Sequence, residues 1–129
     1  MNQLLKKIVF TLLFVFAAMA GFAQAPLEAV GSSIGSGNVG GIARHFDNAV
    51  SLTVPGSQAT YSRSQAEMVL RDFFNKNGPK GLSINRSGEN SSGSYAIGTL
   101  ATANGNYRTY FVLRSKGSGY VIQEIRLER

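Results

Sequence analysis

The sequence has no cysteine and no tryptophan, one histidine and three prolines in 129 residues. Without cysteine there is no disulfide to staple a small fold, no thiol nucleophile and no lipid-bearing cysteine, so stability must come from the apolar core. Acidic residues are scarce as well: 7 Asp and Glu stand against 13 Lys and Arg, a formal charge of +6 at pH 7. The basic residues are scattered rather than clustered, which reads as a solvated surface and not as a nucleic-acid interface. No catalytic or metal-binding signature occurs, so no catalytic residue, metal ligand or cofactor is assigned.

What is present begins with an export signal. Lys6-Lys7 precedes a run from Ile8 to Ala20 almost without polar residues, followed by Gly21-Phe22-Ala23. A charged start, a short apolar stretch and small residues before a cleavage point make residues 1–23 a secretory signal peptide. The apolar run is shorter than the roughly 20 residues a membrane span needs. Residues 24–129 then form one domain, expected to be periplasmic or secreted and free of the membrane after cleavage. Lys6 and Lys7 leave with the signal, so the mature domain is less basic than the whole chain.

The last third of the chain organises the rest. Tyr95 to Thr102 is rich in aromatic, β-branched and small residues, as a strand requires. Asn104-Gly105 predicts a type I′ hairpin turn with positive φ at both residues. Tyr107 to Arg114 returns, Ser115 to Gly119 turns again, and Tyr120 to Leu127 closes a meander. A period of two puts Tyr107, Phe111 and Leu113 on one face and Arg108, Tyr110, Val112 and Arg114 on the other. In the last strand Val121, Ile125 and Leu127 oppose Glu124, Arg126 and Glu128. One buried and one semi-polar face call for helices on a single side of the sheet.

Upstream, Pro26 to Ile34 predicts a helix, with Leu27, Val30 and Ile34 at helical spacing. Gly35-Ser36-Gly37-Asn38-Val39-Gly40 matches G-x-G-x-x-G, but a dinucleotide site needs a preceding strand in a parallel β-α-β unit. Here the motif follows a helix, so it reads as a linker that stops one helix and lets Asn38 cap the next, Val39 to Phe46. His45 and Asp47 flank Phe46 without a nucleophile context, and a histidine near a helix C-terminus has a structural reason to be there. Val50 to Val54 and Ser57 to Tyr61 form a hairpin about Pro55-Gly56. Ser64 and Glu67 form a capping box for a helix from Gln65 to Lys76, carrying Met68, Val69, Phe73 and Phe74. Leu82 to Arg86 alternates as a strand, and Ser87 to Ser94 is a polar loop.

The order of elements resembles the nuclear-transport-factor-2-like (NTF2-like, cystatin-like) α+β cone, a curved antiparallel sheet wrapped around N-terminal and central helices. Tyr61 to Glu67, Phe73-Phe74, Tyr95 to Leu100, Gly105 to Arg108 and Ile125 to Glu128 are similar to a bacterial exported family of unknown function with that fold. The resemblance covers nearly all of the mature chain. It implies a fold and a compartment and carries no assigned activity. The wider fold often pairs through its sheets, so a homodimer is among the partners it implies.

Two functions fit these residues. The first is a non-catalytic domain binding an unidentified small molecule or periplasmic protein. Its site residues would be Met68, Phe73, Tyr95, Arg108, Tyr110 and Arg114, either inside the cone beside Met68 and Phe73 or on the semi-polar face, where Tyr and Arg suit partner contacts. The alternative is a pocket enzyme, an isomerase or hydrolase of small hydrophobic substrates, which needs a tuned acid or histidine beside a tyrosine. His45, Asp47, Asp72, Tyr95 and Tyr110 are the residues that could supply it.

Overall fold

The structure is a computed structural model and describes residues 25–129. The signal peptide expected over residues 1–23 lies outside the described residues. Among the described residues three helices, α1 (Ala25–Ser36), α2 (Val39–Ala43) and α3 (Arg63–Lys76), pack against one sheet. Its strands are β1 (Phe46–Val54), β2 (Ser57–Ser62), β3 (Pro79–Asn90), β4 (Gly93–Thr102), β5 (Gly105–Lys116) and β6 (Gly119–Glu128). Their order across the sheet is β2-β1-β6-β5-β4-β3, with β1 and β6 parallel and every other pair antiparallel. No helix among the described residues is long and apolar enough to cross a membrane.

The helices earn their places by apolar periodicity. Leu27, Val30 and Ile34 of α1, Val39 and Ile42 of α2, and Ala66, Leu70, Phe73 and Phe74 of α3 are all buried in one cluster. They meet Leu100 of β4, Phe111 and Leu113 of β5, and Ile125 and Leu127 of β6, each no more than 2% exposed. The middle of the cone is therefore filled by side chains, and the whole cluster sits on one side of the sheet.

The glycine motif does what a linker does. Gly37 takes φ 68° just after α1, while Asn38 N–H donates to the Ser33 carbonyl at 2.9 Å and Gly37 N–H to that of Ile34 at 3.1 Å. This is a Schellman stop. Asn38 Oδ1 then accepts from Gly41 N–H at 3.1 Å and caps α2.

Several local expectations shift. The second helix stops at Ala43, and Phe46, expected on its apolar stripe, instead opens β1. Pairing won: the His45 carbonyl accepts Ile122 N–H at 2.6 Å, and the Phe46 side chain is 1% exposed in the core. The capping box is Ser62 with Gln65, two positions ahead of Ser64 and Glu67. The S-x-x-E/Q pattern occurs twice in this stretch, and Glu67 turns instead to Arg71 one helical turn later. The loop expected over Ser87 to Ser94 is mostly strand. Asn90 Oδ1 accepts from Ser92 N–H and Gly93 N–H at 2.9 and 3.1 Å, so a side chain closes a tight turn between β3 and β4.

The Asn104-Gly105 hairpin forms, but not as type I′. Among the described residues only glycines take positive φ, Gly105 among them at 104°. Asn104 is held otherwise, its amide donating to the Lys76 carbonyl at 2.8 Å and to Asn77 Oδ1 at 2.9 Å, which ties the turn to the end of α3. In β6 a register shift opposite Val112 and Leu113 puts Ile122, not Val121, in the core. Such a bulge re-aims every residue before it, and Val121 lands on the other face opposite Arg114.

Candidate functional site

The helix-free face of β4, β5 and β6 is a small grid. Register sets Tyr95 beside Val112 and Glu124, Ile97 beside Tyr110 and Arg126, and Thr99 beside Arg108 and Glu128. Each is on this face because its neighbours in sequence, Ala96, Leu100, Phe111 and Ile125, are buried on the other. Directly paired and diagonal side chains on one face lie within contact distance of one another. The Tyr95 and Tyr110 ring centroids are 6.3 Å apart, and the Arg126 guanidinium carbon lies 5.3 Å from the Tyr110 ring centre.

Two recesses open on this face and share Tyr110. The larger, about 620 Å³, runs from the β3–β4 hairpin to Tyr95, Tyr110, Arg114 and Gln123. The smaller, about 270 Å³, is lined by Ile97, Arg108, Tyr110, Arg126 and Glu128. Together they form a groove with Tyr110 at its centre and arginines along its length.

Electrostatics fix part of this groove. Arg114 Nη2 lies 2.8 Å from Asp47 Oδ2, and Lys116 Nζ lies 3.7 Å from Asp47 Oδ1. The Asp47 carboxyl is held below its ordinary range first by the Asn48 backbone N–H and then by Arg114 and Lys116. Arg126 Nε donates to Glu124 Oε2 at 2.7 Å. His45 stacks on Tyr120, ring centroids 4.8 Å apart, and burial, helped by Arg44, lowers its pKa.

Met68 and Phe73 are elsewhere. They line a groove of about 510 Å³ between α3 and the β1–β2 turn, with Val54, Pro55 and Tyr107. Met68 is 70% exposed at its rim, whereas Phe73 is buried edge-on against Tyr107 at 5.1 Å. Tyr107 completes the end of the core by donating its hydroxyl to Asn77 Oδ1 at 3.0 Å. The residues expected to bind thus divide: Tyr95, Arg108, Tyr110 and Arg114 share one groove, and Met68 and Phe73 share another. Arg126 and Ile97 belong to the first group. Alternation with Ile125 marked the face of Arg126, but the sequence reading assigned no face to Ile97 and marked no convergence on Tyr110.

Asp72 is paired with Lys76 on an exposed turn of α3 at 3.1 Å, and the Tyr61 hydroxyl meets Ser57 at 2.8 Å. Among the described residues no group of three His, Cys, Asp or Glu is placed to hold a metal ion.

Comparison with known proteins bears on the fold and the family. A family model described as a domain of unknown function, DUF4783, matches residues 27–128. A DUF4783 family protein from Bacteroides fragilis is 33% identical, with a TM-score of 0.73 over 78% of this chain and 95% of its own. One from Bacteroides uniformis is 26% identical, with a TM-score of 0.75 over 79% of this chain and 94% of its own. A long-sheet protein whose name carries the NTF2 designation is 16% identical, with a TM-score of 0.65 over 81% of this chain and 98% of its own. At that identity it speaks to the fold alone, which is NTF2-like α+β. No curated protein matches.

Proposed function

The chain belongs to the DUF4783 family, of unknown function and NTF2-like fold, and from that premise we propose that it is an exported, non-catalytic domain that binds a partner protein through its helix-free sheet face. The expected signal over residues 1–23 supports export to the periplasm or beyond. The observation that carries the rest is the groove in which two recesses meet at Tyr110, lined by Tyr95, Arg108, Arg114 and Arg126. Tyr and Arg are the side chains that most often anchor protein contacts. Neither recess is an enclosed cavity, which suits an extended segment better than an engulfed small molecule. The middle of the cone, by contrast, is occupied by Leu100, Phe111, Leu113, Ile125 and Leu127, and a recess of about 370 Å³ lies only at its end, beside Pro26 and Tyr120. A pocket enzyme is disfavoured because Asp47 and Asp72 are engaged in ion pairs with Arg114 and Lys76, and His45 is stacked on Tyr120.

The test is photo-crosslinking in the exporting host, with benzoylphenylalanine replacing Tyr110 in one strain and Arg71, on the exposed side of α3, in another. The expected result is a discrete adduct of the chain with another protein from position 110 and none from 71. Absence of any adduct from position 110, or the same adducts from both positions, overturns the reading. An adduct at twice the chain mass would replace it with self-association.

A further inference from the structure

The ion pairs on the helix-free face take Arg114, Lys116 and Arg126. Among the described residues none takes Arg86 or Arg108. The register brings these two to one place: Arg86 on β3 is opposite Ile97 on β4, Ile97 is opposite Tyr110 on β5, and Arg108 is two residues from Tyr110 on the same side. Arg108 and Tyr110 line the smaller recess with Ile97 at its floor. Ile97 and Tyr110 are thus flanked by two guanidinium groups that take part in no ion pair among the described residues. Arg86, Arg108, Arg114, Lys116 and Arg126 on this face outnumber Asp47, Glu124, Glu128 and Glu89 at the rim of the larger recess, so the local charge balance is positive. Glu128 is opposite Arg108 in register, yet the two make no ion pair.

We infer that the Ile97–Tyr110 patch with Arg86 and Arg108 is a carboxylate-reading subsite for an acidic, extended segment of a partner protein. Guanidinium is the group suited to planar, bidentate recognition of a carboxylate. An apolar side chain of the segment would cover Ile97 beside Tyr110, whose ring already carries the Arg126 guanidinium, while its flanking Asp or Glu side chains meet the two arginines. Steering by such charges weakens as salt rises. Glu128, in the same recess, is the built-in opponent: its charge repels the incoming carboxylate.

This rests on the partner-binding reading, and its experiment separates the two. Residues 24–129 are titrated with a synthetic Glu-Val-Glu-Val-Glu-Val-Glu peptide, its Lys-Val counterpart and inorganic phosphate, while backbone amide and arginine Nε–Hε resonances are followed by NMR. The acidic peptide is expected to shift the Arg86, Arg108 and Tyr110 resonances, with affinity falling at least tenfold in R86Q/R108Q and rising in E128Q. The Lys-Val peptide is expected to do nothing. Three results overturn the inference: shifts confined to other residues, equal binding of both peptides, or phosphate reproducing the acidic peptide's shifts in full, the mark of an adventitious anion only. If the carboxylate inference fails while the position 110 crosslink persists, partner binding stands and its chemistry is other than acidic.

Discussion

Arg114 Nη2 donates to Asp47 Oδ2 at 2.8 Å, and in doing so joins β5 to the start of β1 over the intervening strand β6. The bond spans 67 positions of sequence and closes one end of the candidate groove. It also makes a pH-dependent contribution whose sign follows from the direction of the shift. The Asn48 N–H and the two cations lower the folded-state pKa of Asp47, with partial covering by neighbours opposing them. Stability gained by a lowered carboxylate is present above the unfolded pKa, about 3.9, and is lost as pH falls through the folded value.

The expected outcome is a gap in urea midpoint between the wild type and Asp47→Asn that is constant from about pH 7 to pH 5 and narrows below about pH 4. Equilibrium unfolding followed by circular dichroism across that range measures it. A gap that stays constant to the lowest accessible pH would mean that the pair adds nothing to the fold, as holds for many exposed ion pairs.

The position of the α3 cap gives a second prediction with a built-in control. Ser62 Oγ accepts from Gln65 N–H at 3.4 Å and the Gln65 side chain reaches back to Ser62 N–H at 3.4 Å, whereas Ser64 lies inside the helix. Ser62→Ala should cost about 1 kcal/mol, the usual loss of a hydroxyl N-cap. Ser64→Ala should stay within about 0.5 kcal/mol of the wild type, as surface changes do. Urea unfolding of both variants decides between the two candidate boxes, and the reverse order of costs would return the cap to Ser64.

That pair also shows where sequence reading reaches its limit. The helix was legible from its apolar residues, of which Phe73 and Phe74 are buried while Met68 is 70% exposed, but its first residue depended on which of two overlapping cap patterns the chain uses. The helix-free face was legible for Arg108, Tyr110 and Arg114, since alternation on β5 is unbroken. It was not legible for Val121, because one extra residue in β6 inverts the parity upstream of Glu124. Phe46 was misplaced for a different reason: its partner, Ile122, is distant in sequence, and no local pattern announces a parallel pairing. The convergence of Arg86 with Arg108 on Ile97 likewise needed the β3–β4–β5 register, which composition cannot supply.

The glycine motif yields the last prediction, because its glycines face opposite constraints. A Cβ on Gly35 would stand 2.7 Å from the Leu82 backbone nitrogen and 3.2 Å from the Gly81 carbonyl carbon, so this residue lets α1 lie directly on β3. A Cβ on Gly40 would meet nothing nearer than Asn38 Oδ1 at 3.9 Å. Replacing a helical glycine by alanine ordinarily stabilises by about 0.5–1 kcal/mol. Gly40→Ala should follow that rule, while Gly35→Ala should break it and destabilise by about 1–3 kcal/mol, since backbone cannot yield as a flexible side chain would. Thermal or urea unfolding of the two variants reads the opposite signs directly. If both changes stabilise, α1 does not approach β3 as closely as this packing requires, and Gly35 has no structural reason to be glycine.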